Sequence, residues 1–176
     1  MGPLLALAIA TADRLDPDHV GAPRRVAKAV VAAVAAKCHD SRMLDGDHYQ
    51  AATWALGSCE LDVVGLMVSA WQEGHFCAGT GPSCPRGDHG HSAGTFQVQG
   101  WADSQWSADL TDLYERDLGA AAVAAYAVVI EGARRCPEEP LELYCGGSCS
   151  PIARILGHAR LEAARDLMAD ILETAP

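Results

Sequence analysis

Basic residues are scarce in this chain of 176 residues: Lys+Arg number 13 against 23 Asp+Glu, a formal net charge of −10 at pH 7. A nucleic-acid binder needs a basic face to neutralise phosphates, so no nucleic-acid partner is expected; only a small patch such as Arg134 with Arg135 points the other way. Long apolar runs are missing too. No stretch approaches the roughly 20 uninterrupted apolar residues of a membrane span, and no membrane insertion is expected. The apolar run Leu4 to Ala10 has no Lys or Arg before it; a secretory signal starts with a basic segment, so this run reads as an ordinary helix. The Cys-x-x-Cys pair that standard zinc ribbons use is absent. Ser92 has no helix after it, which makes it a poor candidate for the strand-to-helix nucleophile turn of a Ser-based hydrolase.

What the chain does have is apolar material, 49% of residues, with 20% charged. That is enough for one sizeable core and excludes disorder of the whole. The length suits one domain, with no internal repeat and no linker. There are 32 alanines, and Ala forms helix best because it loses no side-chain entropy there. The expected fold is mainly α. Val26 to Cys38 places Val26, Ala29, Val30, Ala33 and Val34 on one face. Asp47 to Leu56 reads as a second helix. Ser58 is placed to cap a third, with Glu60 and Asp62 in its first turn and an apolar side of Val63, Val64, Met67, Val68 and Trp71, ending at Glu73 and Gly74. A Gly, Pro, Cys and His segment follows to Ser92, then a short extended stretch, Thr95 to Gln99. Leu118 to Ala133 is apolar nearly all round, the composition of a helix buried on every side at the centre of the fold. An amphipathic helix over Ala159 to Leu172 closes the chain.

Seven cysteines, Cys38, Cys59, Cys77, Cys84, Cys136, Cys145 and Cys149, suit an extracytoplasmic, disulfide-bearing protein. The odd count leaves at least one outside an intrachain pair. Cys77 with Cys84 would staple the loop after Glu73, and Cys38 with Cys59 would tie the first helix to the third. Cys145 with Cys149, or either of them with Cys136, are open alternatives. A rival reading takes His75, Cys77, Cys84, His89 and His91, all within 17 residues, as zinc ligands. Against it, six residues separate Cys77 from Cys84, where zinc ribbons place two to four. No metal and no cofactor are expected. Cys145, between Tyr144 and two glycines, is a weaker candidate as a nucleophile.

Glu73 carries the chemistry in this reading. A carboxyl between Trp71 and Phe76 in sequence, at the C-terminal end of an apolar helix, sits where apolar walls and the helix dipole both disfavour its charge, the setting of a general acid. A solvated Glu at a helix end is the ordinary alternative. Gln72-Glu73-Gly74-His75-Phe76, Gly87-Asp88-His89-Gly90 and Ser92-Ala93-Gly94-Thr95-Phe96-Gln97-Val98 together resemble the active-site stretch of the lysozyme-like superfamily. Lytic transglycosylases of that superfamily have a helix ending in Glu-Ser-Gly-Phe and then Gly-Leu-Met-Gln-Ile; goose-type lysozymes add a Gly-Asp-x-Gly step between. Leu143-Tyr144-Cys145-Gly146-Gly147 looks like their Ala-Tyr-Asn-Ala-Gly motif.

The resemblance spans residues 58 to 172 and implies one lysozyme-like domain over 1–176, with N-terminal helices in 1–57 and a small Gly-rich lobe or short β-hairpin beside the catalytic helix. It implies cleavage of the β-1,4 bond between N-acetylmuramic acid and N-acetylglucosamine, on peptidoglycan strands or chitin-like oligomers, by a monomer outside the cytoplasm. Glu73 inherits the proton donor's role, and Asp88, 15 residues on, that of a base or water-orienting group, which favours hydrolysis over lytic transglycosylation. Ser92, Gln97 and Tyr144 inherit places in the cleft. Departures from the pattern are Gln99, where many goose-type lysozymes have an acid, Cys145 in place of Asn, and Thr95-Phe96 in place of Leu-Met. The alternative of another class is a cysteine-stabilised binding module of lysozyme-like shape without activity.

Overall fold

The computed structural model describes residues 2–18, 22–38, 42–43, 49–50, 53–77, 91–102 and 105–174. Over those residues the protein is mainly helical, with three small two-stranded antiparallel ribbons. Helix α1 (Gly2–Leu15) buries Leu7, Ala8, Thr11 and Ala12, the helical spacing of one face. Helix α2 (Pro23–Ala35) starts on a proline, whose missing N–H would be unpaired in a first turn anyway. It buries Val26, Val30 and Val34 among others. Strands β1 (Arg42–Met43) and β2 (Tyr49–Gln50) pair with Arg42 opposite Gln50.

Helix α3 (Cys59–Gly74) is the central element: every residue from Leu61 to Ala70 is buried. Ser58 caps it, its Oγ accepting from the Leu61 N–H at 3.1 Å. Strands β3 (Ser92–Ala93) and β4 (Val98–Gln99) form one hairpin, and β5 (Trp101–Ala102) and β6 (Gln105–Trp106) the next. Helix α4 (Ala108–Arg116), not anticipated from the sequence, begins where Ser107 Oγ accepts from the Leu110 N–H. Asp117 then caps α5 (Leu118–Arg135), and a short α6 (Glu142–Gly146) leads to α7 (Pro151–Thr174). One hydrophobic cluster draws on α1, α2, α3, α5 and α7. Arg14 of α1 also pairs with Asp170 of α7.

Four expectations need correction. Asp47 to Leu56 is not one helix: Tyr49 and Gln50 are extended, and the N–H groups of Ala55 and Leu56 go to the Asp62 carboxylate at 2.9 and 2.6 Å rather than to carbonyls of a preceding turn. The stretch Thr95 to Gln99 is extended only at its end, because Thr95, Phe96 and Gln97 turn the β3–β4 hairpin with Gly94 and Gln97 in left-handed backbone. Helix α5 is not buried all round; Val123 is 49% exposed, and Gly119, Ala127, Arg134 and Arg135 are exposed with it. The centre is therefore α3.

The fourth correction concerns Cys145, which is free. Cys136, the residue after α5, bonds to Cys149, just before α7, with Cα atoms 5.8 Å apart. Cys145 lies inside α6, where its side chain packs against the core. Cys38 and Cys59 are joined as expected, Cα atoms 5.6 Å apart, tying the end of α2 to the start of α3. Cys77 is also disulfide-bonded; Cys84, its expected partner, lies outside the described residues. No helix among the described residues is long and apolar enough to cross a membrane.

Candidate functional site

The chain leaves α3 abruptly. His75 and Phe76 both have left-handed backbone, φ 47° and 54°, which L side chains adopt at a cost of about 1–3 kcal/mol each. Surrounding contacts hold the turn: Phe76 is fully buried, its carbonyl accepts from the Ala22 N–H at 2.9 Å, and the Trp71 ring meets both the His75 and Phe76 rings, at 4.7 and 5.3 Å. Glu73 is thereby left at the last turn of α3 with its side chain 29% exposed.

The hairpin closes on this helix end. A Cβ on Gly74 would lie 2.7 Å from both Cα and O of Thr95, so only glycine allows the β3–β4 turn to sit this close to α3. From the other side Tyr144, in α6, donates its hydroxyl to the Phe96 carbonyl at 2.6 Å. Three segments far apart in sequence thus meet around Glu73.

Helix α7 supplies a partner the sequence reading missed. Arg160 Nη2 donates to Glu73 Oε1 at 2.7 Å and its Nε to Gln72 Oε1 at 2.7 Å. The Arg160 side chain is only 11% exposed, with its Cζ 5.6 Å from the centre of the Tyr144 ring. Arg160 falls on the buried stripe of α7 formed by Ala153, Gly157, Leu161 and Ala164. A charge within an apolar stripe was the available signal. Close backbone packing sets its position, since a Cβ on Gly157 would meet the Glu142 nitrogen at 2.7 Å. Two further pairs, Arg154 with buried Glu142 at 3.5 Å and His158 with buried Glu139 at 3.1 Å, join α7 to the same stretch of chain.

The expected cleft residues fare differently. Tyr144 is beside Glu73: burial above all, and then the Glu73 charge, push its phenol well above the usual range, although its hydroxyl is spent on Phe96. Gln97 spans its own turn, Nε2 donating to the Gly94 carbonyl at 2.8 Å and Oε1 accepting from Ser92 Oγ at 3.2 Å. Ser92, placed in the cleft by resemblance, is 1% exposed and so supports Gln97 from within. The run Gly90-His91-Ser92-Ala93-Gly94 does spell Gly-x-Ser-x-Gly, but Ser92 opens a hairpin strand, not a strand-to-helix elbow. Asp88 and His89 lie outside the described residues.

Burial pushes the Cys145 thiol up, with Arg160 acting in the opposite sense and Glu73 adding to the rise. A raised thiol is a poor nucleophile at neutral pH, which weighs against cysteine catalysis. Among the described residues no group of three or more His, Cys, Asp or Glu is placed to hold a metal ion, and Cys77, being in a disulfide, offers no thiolate. What remains is an accessible carboxyl at a helix end, flanked by a guanidinium, a phenol and a hairpin turn, a setting for acid–base chemistry on a polar ligand. Comparison with protein-family models, curated proteins and solved structures finds no match for the chain.

Proposed function

We propose that the protein is a peptidoglycan-cleaving glycosidase in which Glu73 donates a proton to the leaving oxygen of the β-1,4 bond between N-acetylmuramic acid and N-acetylglucosamine. One observation carries the reading. The motif segments ending at Glu73, turning at Thr95 to Gln97 and centred on Tyr144 converge on one place, through the Gly74–Thr95 approach and the Tyr144–Phe96 hydrogen bond. Segments that resembled a glycosidase site only by their order in sequence are thus neighbours in space. Asp88 supplies the second carboxyl in this proposal, which favours hydrolysis over transglycosylation. A lysozyme-like fold and action outside the cytoplasm belong to the same proposal, supported by the mainly helical architecture and the disulfides.

The ion pair of Glu73 with Arg160 favours a second reading, a binding module that keeps the shape without the chemistry, because a carboxylate held by a guanidinium is not donating a proton. The experiment that separates them is clearing of a cell-wall suspension by the protein and its Glu73→Gln variant. Gln keeps the shape and an oxygen for Arg160 but has no acidic proton, so clearing is expected to fall at least about 100-fold. Failure of the native protein to clear walls while still sedimenting with them establishes the binding module instead.

A further inference from the structure

We infer that Arg160 is a positioning residue for the acid: by holding Oε1 of Glu73 it leaves Oε2 as the oxygen that carries the proton and gives it up; this rests on the glycosidase reading of Glu73. The two oxygens are placed differently. Arg160 Nη2 donates to Oε1 at 2.7 Å. Oε2 has no hydrogen-bond partner among the described residues and is not closed off from solvent, the side chain being 29% exposed. A carboxyl without such a tie turns about its last side-chain bond, whose torsional wells are broad, and presents either oxygen. One short bond to a fixed donor ends that freedom.

The donor is itself fixed. Arg160 Nε donates to Gln72 Oε1 at 2.7 Å, its Cζ lies 5.6 Å from the centre of the Tyr144 ring, and its side chain is 11% exposed. Gln72 and Glu73 are neighbours on the last turn of α3, so one planar guanidinium spans both side chains and ties the acid to α7. The contact is compatible with acid chemistry. A protonated carboxyl keeps one oxygen as an acceptor, and with the proton on Oε2 that oxygen is Oε1. As the C–O bond breaks, Oε2 passes its proton to the glycosidic oxygen; water adds at the anomeric carbon, its own proton goes to the second carboxyl, and exchange with solvent restores both carboxyls. The Arg160 bond becomes charge-assisted as the proton leaves, so it strengthens along the step it serves. Arg160 acts through Glu73 and takes no part in holding substrate.

The test measures kcat and KM on soluble peptidoglycan strands for the native protein, Arg160→Gln, Glu73→Gln and the double variant, with melting curves to establish that each is folded. Arg160→Gln is expected to lower kcat about tenfold or more, because a small misplacement of a reacting group is costly, while KM changes by less than about twofold. In the Glu73→Gln background there is no proton to position, so Arg160→Gln should cost nothing further; a purely structural role would lower the residual rate again. A folded Arg160→Gln variant with native kcat, a loss carried by KM, or losses that multiply in the double variant overturns the positioning role and leaves the glycosidase reading standing. If the Arg160 variants do not fold, Gln72→Ala, at an exposed position, carries the test. A loss in kcat that disappears in the Glu73→Gln background supports the positioning role, and native kcat overturns it. No cleavage by the native protein overturns the glycosidase reading and the positioning role with it.

Discussion

Tyr126 donates its hydroxyl to Asp62 Oδ2 at 2.5 Å, joining the middle of α5 to the first turn of α3 inside the core. Asp62 and Tyr126 are 0% and 1% exposed, and the same carboxylate takes the N–H groups of Ala55 and Leu56. Removing the phenol hydroxyl takes one hydrogen bond from a buried carboxyl that then keeps only its two backbone donors. Tyr126→Phe is therefore expected to lower unfolding free energy by about 1–3 kcal/mol in denaturant melts; an unchanged melt would show that the bond adds nothing.

Asp62 also gives a pH dependence. Desolvation by burial raises its carboxyl above the ordinary 3.8, outweighing the hydrogen bonds from Tyr126, Ala55 and Leu56 that act in the opposite direction. A raised acid contributes stability that is complete below the unfolded value and is lost as pH climbs through the folded one. The difference in unfolding free energy between the native protein and Asp62→Asn, which does not titrate there, should fall as pH rises from below 3.8. A difference that stays flat or grows with pH contradicts the assignment.

Gly74→Ala tests the docking of the hairpin on α3. The new methyl would meet Thr95 backbone atoms at 2.7 Å, and backbone yields less easily than the end of a side chain. A loss of about 1–3 kcal/mol is expected, together with reduced wall clearing, because the hairpin must move away from the helix end that bears Glu73. Native stability and activity in this variant would place the hairpin elsewhere.

Cysteine mapping tests the pairing. In protein alkylated without reduction, label should appear on Cys145 and not on Cys136 or Cys149. Because burial raises the Cys145 thiol, labelling of the folded protein should be slower than labelling in denaturant at the same pH. Replacing Cys136 and Cys149 together by serine should lower stability by about 2–4 kcal/mol. Label on Cys149 in the unreduced protein rules out the Cys136–Cys149 bond.

Asp88→Asn separates the two glycosidase chemistries. If water attacks, native products carry reducing ends of inverted configuration, and the variant should lose about 100-fold or more in rate. If the muramic acid's own hydroxyl attacks, products end in anhydro-muramic acid, and a folded variant keeps its rate. The second result would remove Asp88 from the mechanism and leave Glu73.

Much of the fold was readable from local chemistry. Ser58 predicts the start of α3, the valines of α2 predict its buried face, and Gly74 marks the end of the helix that carries Glu73, because caps, apolar spacing and breakers act over a few residues. The candidate acid was legible for the same reason. Helix 47–56 was misread because the donors of Ala55 and Leu56 are taken by a carboxylate six or seven residues further on, and local propensity contains no term for that capture.

The sequence by itself determined a mainly helical, acidic, cysteine-bearing protein with Glu73 at the end of an apolar helix. Only the tertiary structure decided what Glu73 faces. Arg160 lies 87 residues away along the chain, and it reaches the carboxyl because Gly157 lets α7 press against the backbone at Leu141 and Glu142. Likewise Ser92 and Gln97, alike in sequence as polar groups near a cleft, part ways only when the hairpin folds, one buried as the other's donor. Burial and charge pairing depend on which surfaces close over a residue, and that is a property of packing between distant segments, which a local pattern does not contain.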